Sequence, residues 1–453
     1  MSQDITPSYG TVSNVFETQS SASRRYAYWR FRLTYALIVG YAAFYMVRQN
    51  FVVAKASDKF PFSMEVIGWA FTAFTLIYGT FKFIAGALCD RSSARLFMPI
   101  GLAFASITSL IAGCCNSAFL FGSVYAINAC FQSMGWPSVS RTLTQWFGPR
   151  QLGTRWGIVN ASHQIGAIII LMGGAWLLAH YNWRYLFIVP GCICLLLSIW
   201  LWDRLRDTPE SIGLPSVEEF EGITPQKTEA LPVEDNKESF MQMMRQHILF
   251  NYRLWMVCIA NFFVYFVRLG LFCWAPVMIA QSQNCGVVTA GCKTSMMEAG
   301  GLLGGLFVGW FTDRFMPKRR GICGAYMMIL LGIVFSFYWL FHSSLIQDPF
   351  LLALINHPVV DYTFWCIIGF LLYGPQTLGG LSGAEFGSKK AAAAATGLTG
   401  TVGYMAGSFG GIGITFINKL WGWNAVLLSF VFASFIGGFF FALTASNKKR
   451  RRA

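Results

Sequence analysis

The chain has 453 residues, of which 55% are hydrophobic, 17% aromatic and only 12% charged. A soluble globular protein carries about 25% charged residues. Half that share on a more apolar background excludes a soluble enzyme, a disordered chain and a fibrous repeat, and points to a protein that crosses a membrane many times. The remaining charge is mostly positive, 34 Lys and Arg against 20 Asp and Glu. That excess is expected in the loops on one side of a bilayer rather than on a face for nucleic acid.

A spanning helix needs roughly 20 mostly apolar residues. In chain order such runs fall at 31–54, 64–89, 96–114, 118–138, 153–178 and 184–202, and again at 252–281, 290–312, 321–343, 361–384, 391–416 and 422–445. The pattern predicts an all-α membrane protein of twelve spans, six in each half. Residues 1–30 form an N-terminal tail whose first 23 residues are Ser/Thr-rich, lack the order of a cleavable signal and are expected to be disordered. Residues 203–251 concentrate acids from Asp203 to Glu238 among prolines, with few large apolar residues, and read as a hydrated linker. A basic tail occupies 446–453. Cys114, Cys130, Cys194 and Cys323 lie in apolar runs and read as small buried hydrophobes. Only Cys285 and Cys292 flank a polar stretch where a bridge is conceivable.

Charge sets the orientation. One set of loops carries Arg24, Arg25, Arg30, Arg32, Arg91, Arg95, Arg141, Arg150, Arg155, the cluster from Arg314 to Arg320, Lys389, Lys390 and the basic tail. The other carries only Lys55, Lys59, Arg184, Lys293 and Lys419. Positive loops stay in the cytoplasm, so both termini and the linker are expected there, as an even number of spans also requires.

The halves repeat. Gly86-Ala-Leu-Cys-Asp90-Arg91 ends the second span and Gly309-Trp-Phe-Thr-Asp313-Arg314 ends the eighth, at an offset of 223; Arg48 and Arg268 match at an offset of 220. A near-constant shift implies duplicated halves about a pseudo-twofold axis, with a substrate site at their interface.

An arginine inside a membrane costs about 2.5–3.5 kcal/mol on insertion scales. Arg48 lies far enough along the first span to snorkel outward, whereas Arg268 is deep in the seventh; Lys82 lies in the second and His163 in the fifth. The acids available within the spans are Glu298 and Glu385. Such an imbalance calls for an anionic ligand, and two guanidiniums suit a tetrahedral phosphate. The competing readings are that the arginines pair with Glu298 or backbone carbonyls, that Lys82 snorkels or packs, and that His163 is merely hydrogen-bonded. Tyr41 and Tyr45 share the helical face of Arg48, and Tyr265 that of Arg268.

Five stretches carry a resemblance: Gly40-Tyr-Ala-Ala-Phe-Tyr-Met-Val-Arg48-Gln-Asn-Phe51, Met134-Gly-Trp-Pro137, Arg206-Asp-Thr-Pro-Glu-Ser211 with Gly213-Leu-Pro215, Ala260-Asn-Phe-Phe-Val-Tyr-Phe-Val-Arg268, and Leu372-Tyr-Gly-Pro-Gln376. From about residue 30 to 445 the chain resembles the organophosphate:phosphate antiporters of the major facilitator superfamily. The resemblance implies that superfamily's fold, twelve helices in two pseudo-symmetric halves. It places the paired phosphate-binding arginines on Arg48 and Arg268, and other substrate contacts on Lys82, His163, Tyr41, Tyr45, Tyr265, Tyr373, Tyr404 and Trp136. Gating falls on Glu298, Asp90, Arg91, Asp313 and Arg314. Two positions depart from the pattern: Gln49 replaces a lysine, and Cys273 an aspartate. The segments around Glu298 and Glu385 lean to the hexose-phosphate branch and Tyr404 leans to the glycerol-phosphate branch.

The expectation is a monomeric carrier in a bacterial inner membrane that imports an organophosphate, hexose 6-phosphate or glycerol 3-phosphate, against inorganic phosphate by alternating access. It would need the lipid bilayer but no cofactor, metal or nucleic acid. No Gly-x-x-x-x-Gly-Lys loop and no acid–base pair in the spans argue for an enzyme. Two rivals share the fold: a hexose-phosphate sensor signalling to a membrane kinase, and a proton symporter with Glu298 as the carrier.

Overall fold

The computed structural model describes residues 10–54, 60–62, 64–222, 242, 244–283, 287–317, 319–342, 357–387 and 389–444. Every element among them is helical. The first group comprises α1 (Gly10–Ala54), α2 (Met64–Arg91), α3 (Ala94–Cys114), α4 (Ala118–Gln132), α5 (Gly135–Trp146), α6 (Leu152–Asn160), α7 (Ser162–His180) and α8 (Tyr185–Arg204). The pairs α4–α5 and α6–α7 are single passages, each interrupted by only one or two residues. After the short α9 (Val217–Phe220) come α10 (Tyr252–Ser282), α11 (Val287–Phe315), α12 (Arg320–His342), α13 (Pro358–Phe386), α14 (Ala392–Ser408) and α15 (Ile414–Leu443). The last two passages divide at Gly422, whose φ of 75° is the left-handed conformation only glycine adopts freely. The described residues thus make twelve helical passages.

Eight helices are long and apolar enough to cross a membrane on those properties alone. The fourth passage is split into helices of 15 and 12 residues and α14 has 17, too short to count by themselves. Around the bundle Phe119 is 84% and Trp69 76% exposed, along with Met172, Leu196 and Ile199. Bare apolar surface on this scale belongs against hydrocarbon.

The two groups meet where α2 packs on α14 and α6 on α11. Each contact has a glycine at its closest point. A Cβ on Gly86 would strike the Ala393 carbonyl, and one on Gly309 the Gly153 carbonyl. Both are the first residue of the repeated motif, so the repeat encodes a close backbone approach.

Several expectations change. The stretch expected to be a disordered tail is helical from Gly10 and continuous with the first span. The start of the linker also folds: Leu214 and Val217 are buried, and Phe220 stacks on Tyr26 with ring centroids 4.0 Å apart. Arg30 pairs with Glu221 at 2.7 Å, and a Ser216–Glu219 capping box starts α9. An average over 203–251 hides this, because Leu214, Val217 and Phe220 recur every three residues and find a surface on the extended α1. Lys293, expected in an outer loop, is buried within α11 and pairs with Asp361 in the first turn of α13. Asp361 is therefore a further acid in the spans, already matched by its own cation. Cys285, residues 223–241 and the basic tail lie outside the described residues. Cys292 is a free thiol, and so are Cys114, Cys130, Cys194 and Cys323. Cys194 and Cys323 are buried as expected, whereas Cys114, the last residue of α3, is exposed and Cys130 is half-buried.

Candidate substrate cavity between the halves

A cavity lies between the two groups of helices. Its wall takes Tyr41, Tyr45, Lys82, Trp136 and His163 from the first group and Tyr265, Arg268 and Tyr404 from the second. These eight residues come from six helical passages, yet they converge on one space. Arg48 and Tyr373 stand one layer behind the wall.

Arg48 is turned inward, so the outward-snorkelling reading fails. Its guanidinium carbon lies 4.3 Å from the Tyr78 ring centroid and 5.4 Å from those of Tyr45 and Phe74. Its Nη2 donates to the Tyr404 hydroxyl at 3.4 Å. Lys82 lies 5.0 Å from the Tyr404 ring, and its stem packs against Gly400. Arg268 lies 4.9 Å from the Tyr373 ring and 5.8 Å from the Tyr265 ring. Aromatic faces attract a cation without neutralising it. Among the described residues neither arginine forms an ion pair with a carboxylate.

The intramembrane acids are engaged elsewhere. Glu298 accepts a 2.5 Å hydrogen bond from the Tyr373 hydroxyl, and its other oxygen is buried without a partner. Glu385 pairs with Arg320. Glu298 thus bonds the tyrosine whose ring lies 4.9 Å from the Arg268 guanidinium carbon. His163 turns Nδ1 toward the Asn160 carbonyl, while Nε2 is buried and unpartnered. A ring-to-ring path runs from His163 to Tyr45 at 5.4 Å, to Tyr41 at 5.5 Å, to Trp136 at 5.0 Å and on to Trp156 at 5.4 Å.

Toward the side that bears both termini the cavity is closed by two matching contacts. Asp90 accepts from the backbone N–H groups of Ala393 and Ala394 at 3.1 and 2.7 Å, in the first turn of α14. Asp313 accepts from Gly153 and Thr154 at 2.9 and 2.5 Å, in the first turn of α6. A helix N-terminus presents unsatisfied donors and partial positive charge, so each carboxylate caps a helix of the opposite half. Arg320 also donates to Asp313 at 2.6 Å and to the Pro149 carbonyl at 2.8 Å. In the first half Arg141 donates to the carbonyls of Cys89 and Ser92. The gating arginines implied by the resemblance sit differently: Arg91 and Arg314 are exposed at the ends of α2 and α11.

Some wall residues were not singled out from the sequence: Trp156, Asn160, Gln376, Thr377, Thr396 and Thr399, with Tyr78 behind them. A signal existed for several. Tyr78 lies four residues before Lys82, Asn160 three before His163, and Gln376 three after Tyr373, and residues so spaced share a helical face.

Twelve passages in two groups, with cations at their interface and helix-capping contacts at one end, are the architecture of a membrane carrier. The chain belongs to the Major Facilitator Superfamily, whose family model matches residues 37–411. Membership makes it a membrane transport protein rather than an enzyme. It is 31% identical, over 96% of each chain, to a probable hexose phosphate transport protein of Chlamydia pneumoniae. To the glycerol-3-phosphate transporter of Bacillus subtilis it is 32% identical over 94% of each. The membrane sensor protein UhpC of Escherichia coli is 32% identical over 88% of each. Among solved structures, the superfamily transporter FucP in its outward conformation superposes with a TM-score of 0.67 at 11% identity, covering 91% of this chain and 99% of that one. That likeness concerns the fold.

Proposed function

We propose that the chain imports a sugar phosphate in exchange for inorganic phosphate. The observation that carries the reading is a pair of guanidiniums, Arg48 and Arg268, one from each half, flanking the interface with no carboxylate partner among the described residues. An anion with several oxygens engages both and draws the halves together. The empty carrier holds two like charges across the interface, so reorientation without an anion is costly and one anion must leave before the other side reloads. Lys82, the wall tyrosines and Trp136 complete the site, with Asp90 and Asp313 as the gate. The units are two six-helix halves, 31–202 and 252–445, joined through 203–251. The one-sided loop arginines support a reading with both termini in the cytoplasm; we take the membrane to be a bacterial inner membrane and the working unit to be a monomer.

The test uses proteoliposomes preloaded with inorganic phosphate. Uptake of labelled phosphate should be inhibited by glucose 6-phosphate or glycerol 3-phosphate and not by glucose. A second reading, sensing, is favoured by the likeness to UhpC. It predicts a folded protein that binds a sugar phosphate and exchanges nothing.

A further inference from the structure

Three acceptor atoms on the cavity wall, Asn261 Oδ1, Gln376 Oε1 and His163 Nε2, are poor partners for a phosphate. The carboxamide oxygen of Gln376 on α13 and Nε2 of His163 on α7 are both buried with no hydrogen-bond partner. A backbone carbonyl only accepts, so His163, facing the Asn160 carbonyl, carries its proton on Nδ1. Its Nε2 is then a bare acceptor. Leaving a buried acceptor unsatisfied costs about 1–3 kcal/mol, a cost that a ligand supplying donors at the cavity would relieve. Phosphate oxygens are chiefly acceptors; hydroxyl groups donate.

The placement fits the same division. Gln376 lies three residues beyond Tyr373, about one turn along α13 toward the closed gate, and Tyr373 is where Arg268 rests. The arginine level thus takes charge, and the level one turn deeper presents neutral acceptors from opposite halves. Indole rings of Trp136 and Trp156 lie beside it, an apolar flank for a sugar ring.

We propose that Gln376 and His163 Nε2 form a hydroxyl-reading subsite that takes the polyhydroxylated body of an organophosphate and distinguishes it from inorganic phosphate. The inference rests on the exchange reading above and names the part of the substrate which that reading leaves open.

The experiment compares two competitors of phosphate exchange in proteoliposomes, glucose 6-phosphate and methyl phosphate, which share the phosphoryl group and differ in hydroxyls. In Gln376→Leu the half-inhibitory concentration of glucose 6-phosphate, divided by that of methyl phosphate, should rise about tenfold, the effect of one buried hydrogen bond. His163→Leu should move the ratio the same way, and Gln376→Asn by less. An unchanged ratio, or equal weakening of both competitors, overturns the subsite. If Gln376→Leu does not fold, Gln376→Asn decides by the same ratio. Should the unsubstituted protein exchange nothing, the exchange reading fails separately. The ratio is then read from the rise in Tm that each ligand gives.

Discussion

At the residue scale the cations of the cavity are held by rings. A guanidinium lies flat on an aromatic face and still offers a planar fork of donors, which an ammonium does not. Arg48→Lys and Arg268→Lys should each therefore lower phosphate exchange at least tenfold at unchanged expression, measured in proteoliposomes; normal exchange by either would remove the paired-guanidinium site. Tyr373 is held differently, because among the described residues its hydroxyl is the one donor to the half-buried Glu298 carboxylate. Tyr373→Phe strands that carboxylate and should destabilise the protein by about 1–3 kcal/mol, read as a fall in Tm. Glu298→Gln in the same background should recover most of it, since the neutral amide is cheaper to bury. Equal Tm values for Tyr373→Phe with and without Glu298→Gln would show that the carboxylate is not what suffers.

At the scale of elements the closed end depends on two helix pairs meeting at glycines. The motif glycine and the aspartate four residues on lie one turn apart on the same face. Removing the Cβ lets α2 reach α14, and the aspartate then arrives at the exposed N–H groups; α11 repeats this on α6. Gly309→Leu or Gly86→Leu should prevent closure and leave the cavity open toward the termini. The check is alkylation of a cysteine placed at Thr396 on the wall, expected to become several-fold faster from the side of the termini. A rate like that of the parent would show that the glycines serve packing within one half only.

At the scale of the whole molecule the linker is a strap as well as a tether. Its helix α9 is fastened to the first half by Tyr26 and Arg30. From there Glu218 reaches Lys389, between α13 and α14, at 2.8 Å. Burial would raise the Glu218 carboxyl, but the hydrogen bond from Lys389 and its charge outweigh that and hold the group below the usual carboxylate range. A carboxyl lowered in the folded state stabilises it above the unfolded value, near 4.3. The contribution disappears as pH falls through the lowered value. The strap should thus hold at neutral pH and loosen only below about pH 4. Both side chains are more than a third exposed, so the effect is small, about 0.5 kcal/mol. Glu218→Gln should shift the ratio of closed to open molecules about twofold at pH 7, measured by energy transfer between dyes on the two halves; no shift would make the contact incidental.

Much of this was legible in the chain. Twelve apolar runs, the one-sided arginines and the two Gly…Asp-Arg repeats follow from hydrocarbon thickness, membrane charge asymmetry and duplication, which act on local sequence. The intramembrane Arg48, Arg268 and Lys82 were conspicuous because a charge in hydrocarbon has few innocent explanations. Three further things depended on neighbours distant in sequence. The helical reach of α1 and the folding of Leu214, Val217 and Phe220 required each other's surfaces. The Lys293–Asp361 pair joins residues from different helices, so neither looked paired in isolation. Gln376 and Asn160 are neutral, and a neutral side chain declares itself only once the packing leaves it facing a cavity without a partner. The sequence by itself determined that this is a membrane carrier with excess positive charge in its spans, because hydrophobic length and ion burial are costs each segment bears alone. Only the tertiary structure decided which cations face the cavity, which carboxylates are already engaged and which end is closed, because those depend on how two halves meet.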